Sequence, residues 1–175
     1  MTITVNTISF ESGAGDTRGL RNALGRFATG VTVVTTLCPS GRLVGLTANS
    51  FCSVSLDPPL VLWSLRRNAN ARPSFAGSKH FAVNVLAADQ EGLSNHFARS
   101  SPDKFSGLAY ETGLGGCPLL ADTLAHFECQ LETEVDGGDH VIFLGRVQRA
   151  AYRDGVPLIF AGGAYCRPER LESVA

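Results

Sequence analysis

The sequence predicts a mostly β fold, a closed or nearly closed antiparallel barrel with two or three short helices. Three observations lead there. Short β-branched or alternating runs recur along the chain, separated by turns that carry Gly, Pro or Asp. The elements do not alternate strand with helix, which disfavours a doubly wound sheet. The 175 residues, 44% hydrophobic and 18% charged, are enough for one globular domain with a buried core.

Residues 1–17, rich in Gly, Ser and Thr, read as a flexible tail, and the domain is expected over 18–175. Thr17 is a candidate N-cap for a helix that lines up Leu20, Leu24 and Phe27, with Gly30 ending it. "VTVVTTL" and "LVGLTA" flank the turn "CPSGR" and form a hairpin. "FCSVS" alternates, with Phe51, Ser53 and Ser55 on one face and Cys52 and Val54 on the other. "DPP" breaks that run before "LVLWSL", whose Trp63 is expected in the core.

The polar connector "RRNANARP" leads into a short helix near Pro73, and "HFAVNVL" is a further strand. Leu93 and Phe97 mark a short amphipathic helix over 88–98, followed by the loop "RSSPDKFSG". "AHFECQLETEV" sets Ala125, Phe127, Cys129, Leu131, Thr133 and Val135 against His126, Glu128, Gln130, Glu132 and Glu134. "DGGD" then turns it into "HVIFLGRVQRA" as a long hairpin, and "PLIF" and "GGAY" close the domain.

Composition excludes several classes. The formal net charge is −1 and the 15 basic residues are scattered, which argues against a nucleic-acid or anionic-membrane surface. No apolar run is long enough for a transmembrane helix, and the N-terminus lacks the features of a signal peptide. The five cysteines form no C-x-x-C pair and read as buried free thiols of a reducing cytoplasm. Nucleotide-binding glycine loops, G-x-S-x-G and H-E-x-x-H are absent, and the four histidines propose no local metal site.

What the chain does contain is "GLTANSFCSVSLDPPLVL", which puts Thr47, Asn49, Ser50, Ser53 and Ser55 into a hydrophobic neighbourhood. Neutral hydrogen-bonders at a hairpin end suit a flat, largely apolar ligand with polar edges, such as a flavin. Asn49 and Ser50 could meet the ring edge, and Ser53 and Ser55, two apart on one face, could receive a phosphate. The alternative is that these side chains only satisfy turns and strand ends.

The succession "GRFATGVTVVTT", "GLTANSFCSVSLDPPLVLWSL", "HFAVNVL", "PDKF", "GDHVIFLGRV" and "GGAY" resembles the short flavin reductases of two-component flavin-dependent monooxygenases, over Leu20 to Tyr165. The resemblance implies a split-barrel flavin-binding fold, a homodimer, and NAD(P)H as electron donor, with reduced flavin passed to a partner monooxygenase. It implies that Thr47, Ala48, Asn49 and Ser50 lie along the flavin ring, continuing through Phe51 and Cys52 to a phosphate held by Ser53 and Ser55. The connector Asn70, Ala71 and Arg72 and the loop Pro102, Asp103, Lys104 and Phe105 border the flavin. Family connectors often carry Ser or Thr where this chain has Ala71, so that phosphate contact is either missing or supplied by Arg72. The flavin type, FAD or FMN, stays open, with FAD slightly favoured.

On the nicotinamide side the resemblance implies His140, Gly162, Gly163 and Tyr165. His140 would orient the nicotinamide or hydrogen-bond the reduced flavin, and His126 would be an exposed strand residue or a second nicotinamide contact. NADH is expected over NADPH, because the segments around His140 and the "GGAY" turn carry Asp136 and Asp139 and, of cations, only Arg167. Two other readings use the same barrel. One is a carrier that binds flavin without turnover. The other is a pyridoxamine-phosphate-type oxidase, which calls for more Arg and Lys converging near Thr47–Ser50.

Overall fold

A computed structural model describes residues 7–8 and 16–169. Apart from residues 7, 8, 16 and 17, the expected N-terminal tail lies outside the described residues. In chain order the elements are α1 (Thr17–Leu24), β1 (Thr29–Gly30), β2 (Thr32–Leu37), β3 (Leu43–Ala48), β4 (Cys52–Leu56) and β5 (Pro59–Arg66). There follow α2 (Arg72–Ala76), β6 (His80–Val85), α3 (Glu91–Ala98), β7 (Tyr110–Thr112), a 3₁₀ turn (Leu114–Gly116) and β8 (Pro118–Leu120). The long hairpin β9 (Ala125–Gly137) and β10 (His140–Tyr152) precedes β11 (Ile159–Ala161) and β12 (Ala164–Cys166).

Seven strands form one antiparallel sheet in the order β3-β2-β6-β9-β10-β5-β4, with small sheets β1-β11-β12 and β7-β8 beside it. The two edge strands, β3 and β4, are consecutive in sequence and joined by residues 49–51, so the sheet curls back towards itself. Among the described residues no ladder joins β3 to β4 or β5, and the barrel stays open along that seam. No helix among them is long and apolar enough to cross a membrane.

The core has two parts, one on each face of β2. This strand is buried on both faces, which explains its continuous β-branched sequence. Val34 joins Trp63, Phe75, Phe81 and Phe143 inside the barrel, and Trp63, fully buried, stacks on Phe143 at 4.7 Å. Val31 and Val33 pack outward with Leu86, Phe97, Phe105 and Leu158. Asn84, also fully buried, ties the layers together. Its amide donates to Val33 O at 3.0 Å and its carbonyl accepts from Leu120 N at 2.8 Å.

Four local expectations change. Asp16, not Thr17, caps α1, its carboxylate accepting from Gly19 N at 2.8 Å, and the helix ends at Gly25 rather than Gly30. Among the described residues its apolar stripe is left largely uncovered, with Leu24 65% and Phe27 79% exposed. Cys52 and Cys166 are exposed, while burial raises the Cys117 thiol and pushes Cys129 up to about 12. A bulge in β4 breaks the alternation of "FCSVS": Ser53 pairs with Val61 and Ser55 with Leu60, so the two serines face opposite ways.

Gly145 of β10 lets β9 and β6 close over the barrel, since a Cβ there would collide with the Phe81 ring and sit 3.0 Å from Cys129 Cβ. Gly145→Ala is expected to destabilise the fold by about 1–3 kcal/mol through overpacking. Chemical denaturation reads this directly, and unchanged stability would contradict the described packing.

Candidate functional site

The seam between β3 and β4 is where the polar side chains of the Thr47–Ser50 segment gather. The β4–β5 ladder runs out at Cys52 and Leu62, and continuing its register sets Ser50 against Ser64. The chain has left strand geometry by then, so the Ser50 hydroxyl takes the place of the missing main chain. It accepts from Ser64 N at 2.9 Å and donates to Ser64 O at 3.1 Å. Thr47 Oγ1 donates to Ser94 O at 2.6 Å, fastening β3 to α3, and Thr32 Oγ1 donates to Ala48 O at 2.7 Å. The hydroxyls of Thr47 and Ser50 are therefore committed to main chain, as the turn-satisfying alternative holds. The main-chain N–H groups of Asn49 and Ser50 find no protein acceptor among the described residues.

Two concavities adjoin along this seam and share Leu46, Thr47, Leu65 and Arg66. The smaller, about 290 Å³, is walled by Ala48, Asn49, Ser50, Ser64 and His140. The larger, about 730 Å³, runs between the connector Asn68–Ala71 and the loop Arg99–Lys104. Its walls carry Arg42, Arg66, Arg99 and Lys104 and, among the described residues, no carboxylate. Lys104 Nζ donates to Phe97 O at 2.7 Å, at the C-terminal end of α3, and to Gly45 O at 3.0 Å. Burial pushes its ammonium below the ordinary lysine value.

His140 begins β10 at the lip of the smaller concavity. Its Nδ1 donates to Asp139 Oδ1 at 2.7 Å, and that bond holds the Asp139 carboxyl below its usual range. Nε2 is then the ring nitrogen left for a ligand.

The structure thus brings Thr47, Ala48, Asn49, Ser50, Asn70, Ala71, Pro102, Lys104 and His140 into two joined hollows. Other expected residues lie elsewhere. Ser53 and Ser55 are on the edge strand β4 and line neither hollow, nor does Cys52. Phe51 packs against the barrel core, 5.4 Å from Phe127, and Phe105 is buried between Phe97 and Tyr110. Asp103 caps its own loop, accepting from Phe105 N and Ser106 N. Arg72 turns to Glu134 at 3.5 Å.

The "GGAY" turn belongs to the β11–β12 hairpin, apart from His140. Gly162 and Gly163 adopt positive φ there, and Gly162 N donates to Gly25 O at 2.7 Å. The Tyr165 hydroxyl is 2.8 Å from Ser94 Oγ, one layer behind Thr47. His126 is structural, with Nε2 between Thr123 Oγ1 (2.6 Å) and Leu120 O (2.9 Å). The sequence reading passed over Arg42, Arg66, Arg99, Ser100 and Ser101. The signal available was position: Arg42, Arg66 and Arg99 stand at or next to the end of a strand or helix, and Ser100 and Ser101 follow in the loop that leads to Pro102.

A family model for the flavin reductase like domain matches residues 24–169. The FMN reductase (NADH) SmoA of Agrobacterium fabrum is 50% identical over 161 residues, 92% of this chain and 91% of that protein. The reductase component of the flavin-dependent trigonelline monooxygenase of Acinetobacter baylyi is 43% identical over 153 residues, 87% of this chain. The match spans only 49% of that longer protein. The NADH:FAD oxidoreductase SgcE6 of Streptomyces globisporus, solved with NAD and FAD fragments, superposes with a TM-score of 0.83 at 40% identity, covering 91% of this chain and 96% of that one. With the fold, the seam and the matched span in agreement, the chain belongs to the flavin reductase like domain family.

Proposed function

We propose that the two joined hollows form a single flavin site, in which an NADH-dependent reductase makes reduced flavin for a partner monooxygenase. The observation that carries this reading is the division of charge between the hollows. Four cations and no carboxylate among the described residues line the larger one, which suits the phosphate end of a flavin nucleotide. Neutral groups line most of the smaller one, where the N–H groups of Asn49 and Ser50 are unused and can meet a ring edge. The donor set therefore fits a flavin. It also supplies the converging Arg and Lys that no run of sequence displayed.

When bound, a flavin would supply the two-electron redox chemistry that oxidation of NADH requires. The chain's own task is placement and electrostatics. Lys104, Arg66 and Arg99 anchor the anionic end. The Thr47–Ser50 segment, fixed by the Ser50–Ser64 and Thr47–Ser94 bonds, presents its main-chain donors in a preorganised line. His140, oriented by Asp139, offers Nε2 at the lip where a nicotinamide would enter. No nucleophile or strong general base is needed, and the raised Cys117 and Cys129 thiols are too well protonated to serve as one.

The same reading includes a homodimer. The bulged edge strand β4 leaves Val54 48% and Leu56 95% exposed, an apolar edge that a second copy would cover. Reduced flavin leaving this site is oxidised by oxygen unless captured, which is why a monooxygenase partner belongs with it.

Purified protein is expected to oxidise NADH only with flavin bound or added, and NADPH more slowly. Background consumption at saturating FMN and FAD would leave a carrier that does not turn over. Arg99→Ala combined with Lys104→Met is expected to raise the flavin Kd by about tenfold or more, through loss of charge-assisted contacts to phosphate. The double variant should also flatten the dependence of Kd on ionic strength. Fluorescence titration of flavin measures both, and an unchanged Kd would remove the larger hollow from the site.

A further inference from the structure

The tip of the β9–β10 hairpin is gripped by one side chain that lines neither hollow. Arg67 directly follows β5. Its Nε and one terminal nitrogen donate to Gly138 O at 3.3 and 3.2 Å, and the same terminal nitrogen donates to Asp136 Oδ1 at 3.0 Å. Its main-chain N–H donates to Asp139 O at 2.9 Å. One residue thus holds the turn that precedes His140 at three points, while Asp139 holds the imidazole. The turn has little else to steady it. His140 stands at the last rung of both its ladders, opposite Gly137 and Arg66, and the Asp136 and Asp139 side chains are each 82% exposed.

We propose that Arg67 is a positioning residue for His140, setting where its free imidazole nitrogen stands at the lip of the smaller hollow. This rests on the reading that His140 serves the nicotinamide side. The guanidinium sets two nitrogens on the Gly138 carbonyl and reaches Asp136 with the outer one, whereas a lysine ammonium is a single nitrogen that ends one bond short of that outer position. An exposed ion pair adds little to global stability. The effect therefore belongs to NADH kinetics and not to melting. The pairing also neutralises Asp136, so the acidic character of the turn is weaker than its sequence indicates.

The test is a double-mutant cycle between Arg67→Ala and His140→Ala, with Arg67→Lys beside it, in full-length protein loaded with flavin. Arg67→Ala is expected to raise the KM for NADH about tenfold, the scale of a lost charged hydrogen bond, with flavin Kd and melting temperature unchanged. In the His140→Ala background the same substitution should add nothing, and Arg67→Lys should recover little. Equal effects of Arg67→Ala in both backgrounds, full recovery by lysine, or a parallel rise in flavin Kd would each overturn the proposal. If His140→Ala raises the KM and Arg67→Ala does not, the inference fails and the reading of His140 stands. If His140→Ala itself has no effect, both fall.

Discussion

The Ser50 hydroxyl, standing in for an absent strand against Ser64, is the interaction on which the site depends. A curled seven-stranded sheet that ends on two consecutive strands must either close or leave unpaired main chain at its seam. Here the ladder stops at Cys52 and Leu62, and a side chain serves both the N–H and the carbonyl of Ser64. The seam therefore stays open without an unsatisfied Ser64. An open seam beside a rigid wall is a groove, and the N–H groups that line it without a protein acceptor are donors left free for a ligand. Full ladder closure would have consumed those donors.

The rest of the fold supports this arrangement from both sides. The aromatic cluster around Trp63 fills the barrel and fixes β5 and β10, the strands that deliver Ser64, Arg66 and His140. The outer cluster seats α3 against β3, so that Ser94 can hold Thr47 and the Phe97 carbonyl can hold Lys104. Gly45 belongs to the same joint. A Cβ at that position would lie 2.6 Å from Phe97 Cε1, so the close approach of α3 to β3 needs glycine there. The cationic wall is assembled from the ends of these elements. Arg42 comes from the β2–β3 turn, Arg66 from the end of β5, Arg99 from just past α3, and Lys104 from the following loop.

Much of this was legible in the sequence, and the parts that were not share a physical cause. Strands announced by β-branched runs or alternation, such as β2, β3 and β9, appear where expected. The Thr47–Ser50 segment was visible because polar groups in an apolar neighbourhood demand partners. Their partners were not visible: the sequence pointed Ser50 at a ligand, while its hydroxyl went to Ser64. The expectation that Ser53 and Ser55 share one face does not hold, because one bulged residue reverses a strand's faces and leaves no reliable mark in the alternation it disrupts. Phe51 and Phe105 were drawn to the flavin by sitting next to its motifs, yet aromatic bulk took both into packing. The convergence of Arg42, Arg66, Arg99 and Lys104 joins residues up to 62 positions apart, which no local pattern can display. The stripe of Leu20, Leu24 and Phe27 was read correctly as apolar, but periodicity does not say what covers it.

Amide hydrogen exchange of the full-length protein, with and without oxidised flavin, is the most direct test of the account. Slowed exchange on flavin addition is predicted at Asn49 and Ser50, in the connector Asn68–Ala71 and in the loop Arg99–Lys104, with the β11–β12 turn unchanged. Protection centred on β4 around Ser53 and Ser55, with the seam and the connector unaffected, would contradict it.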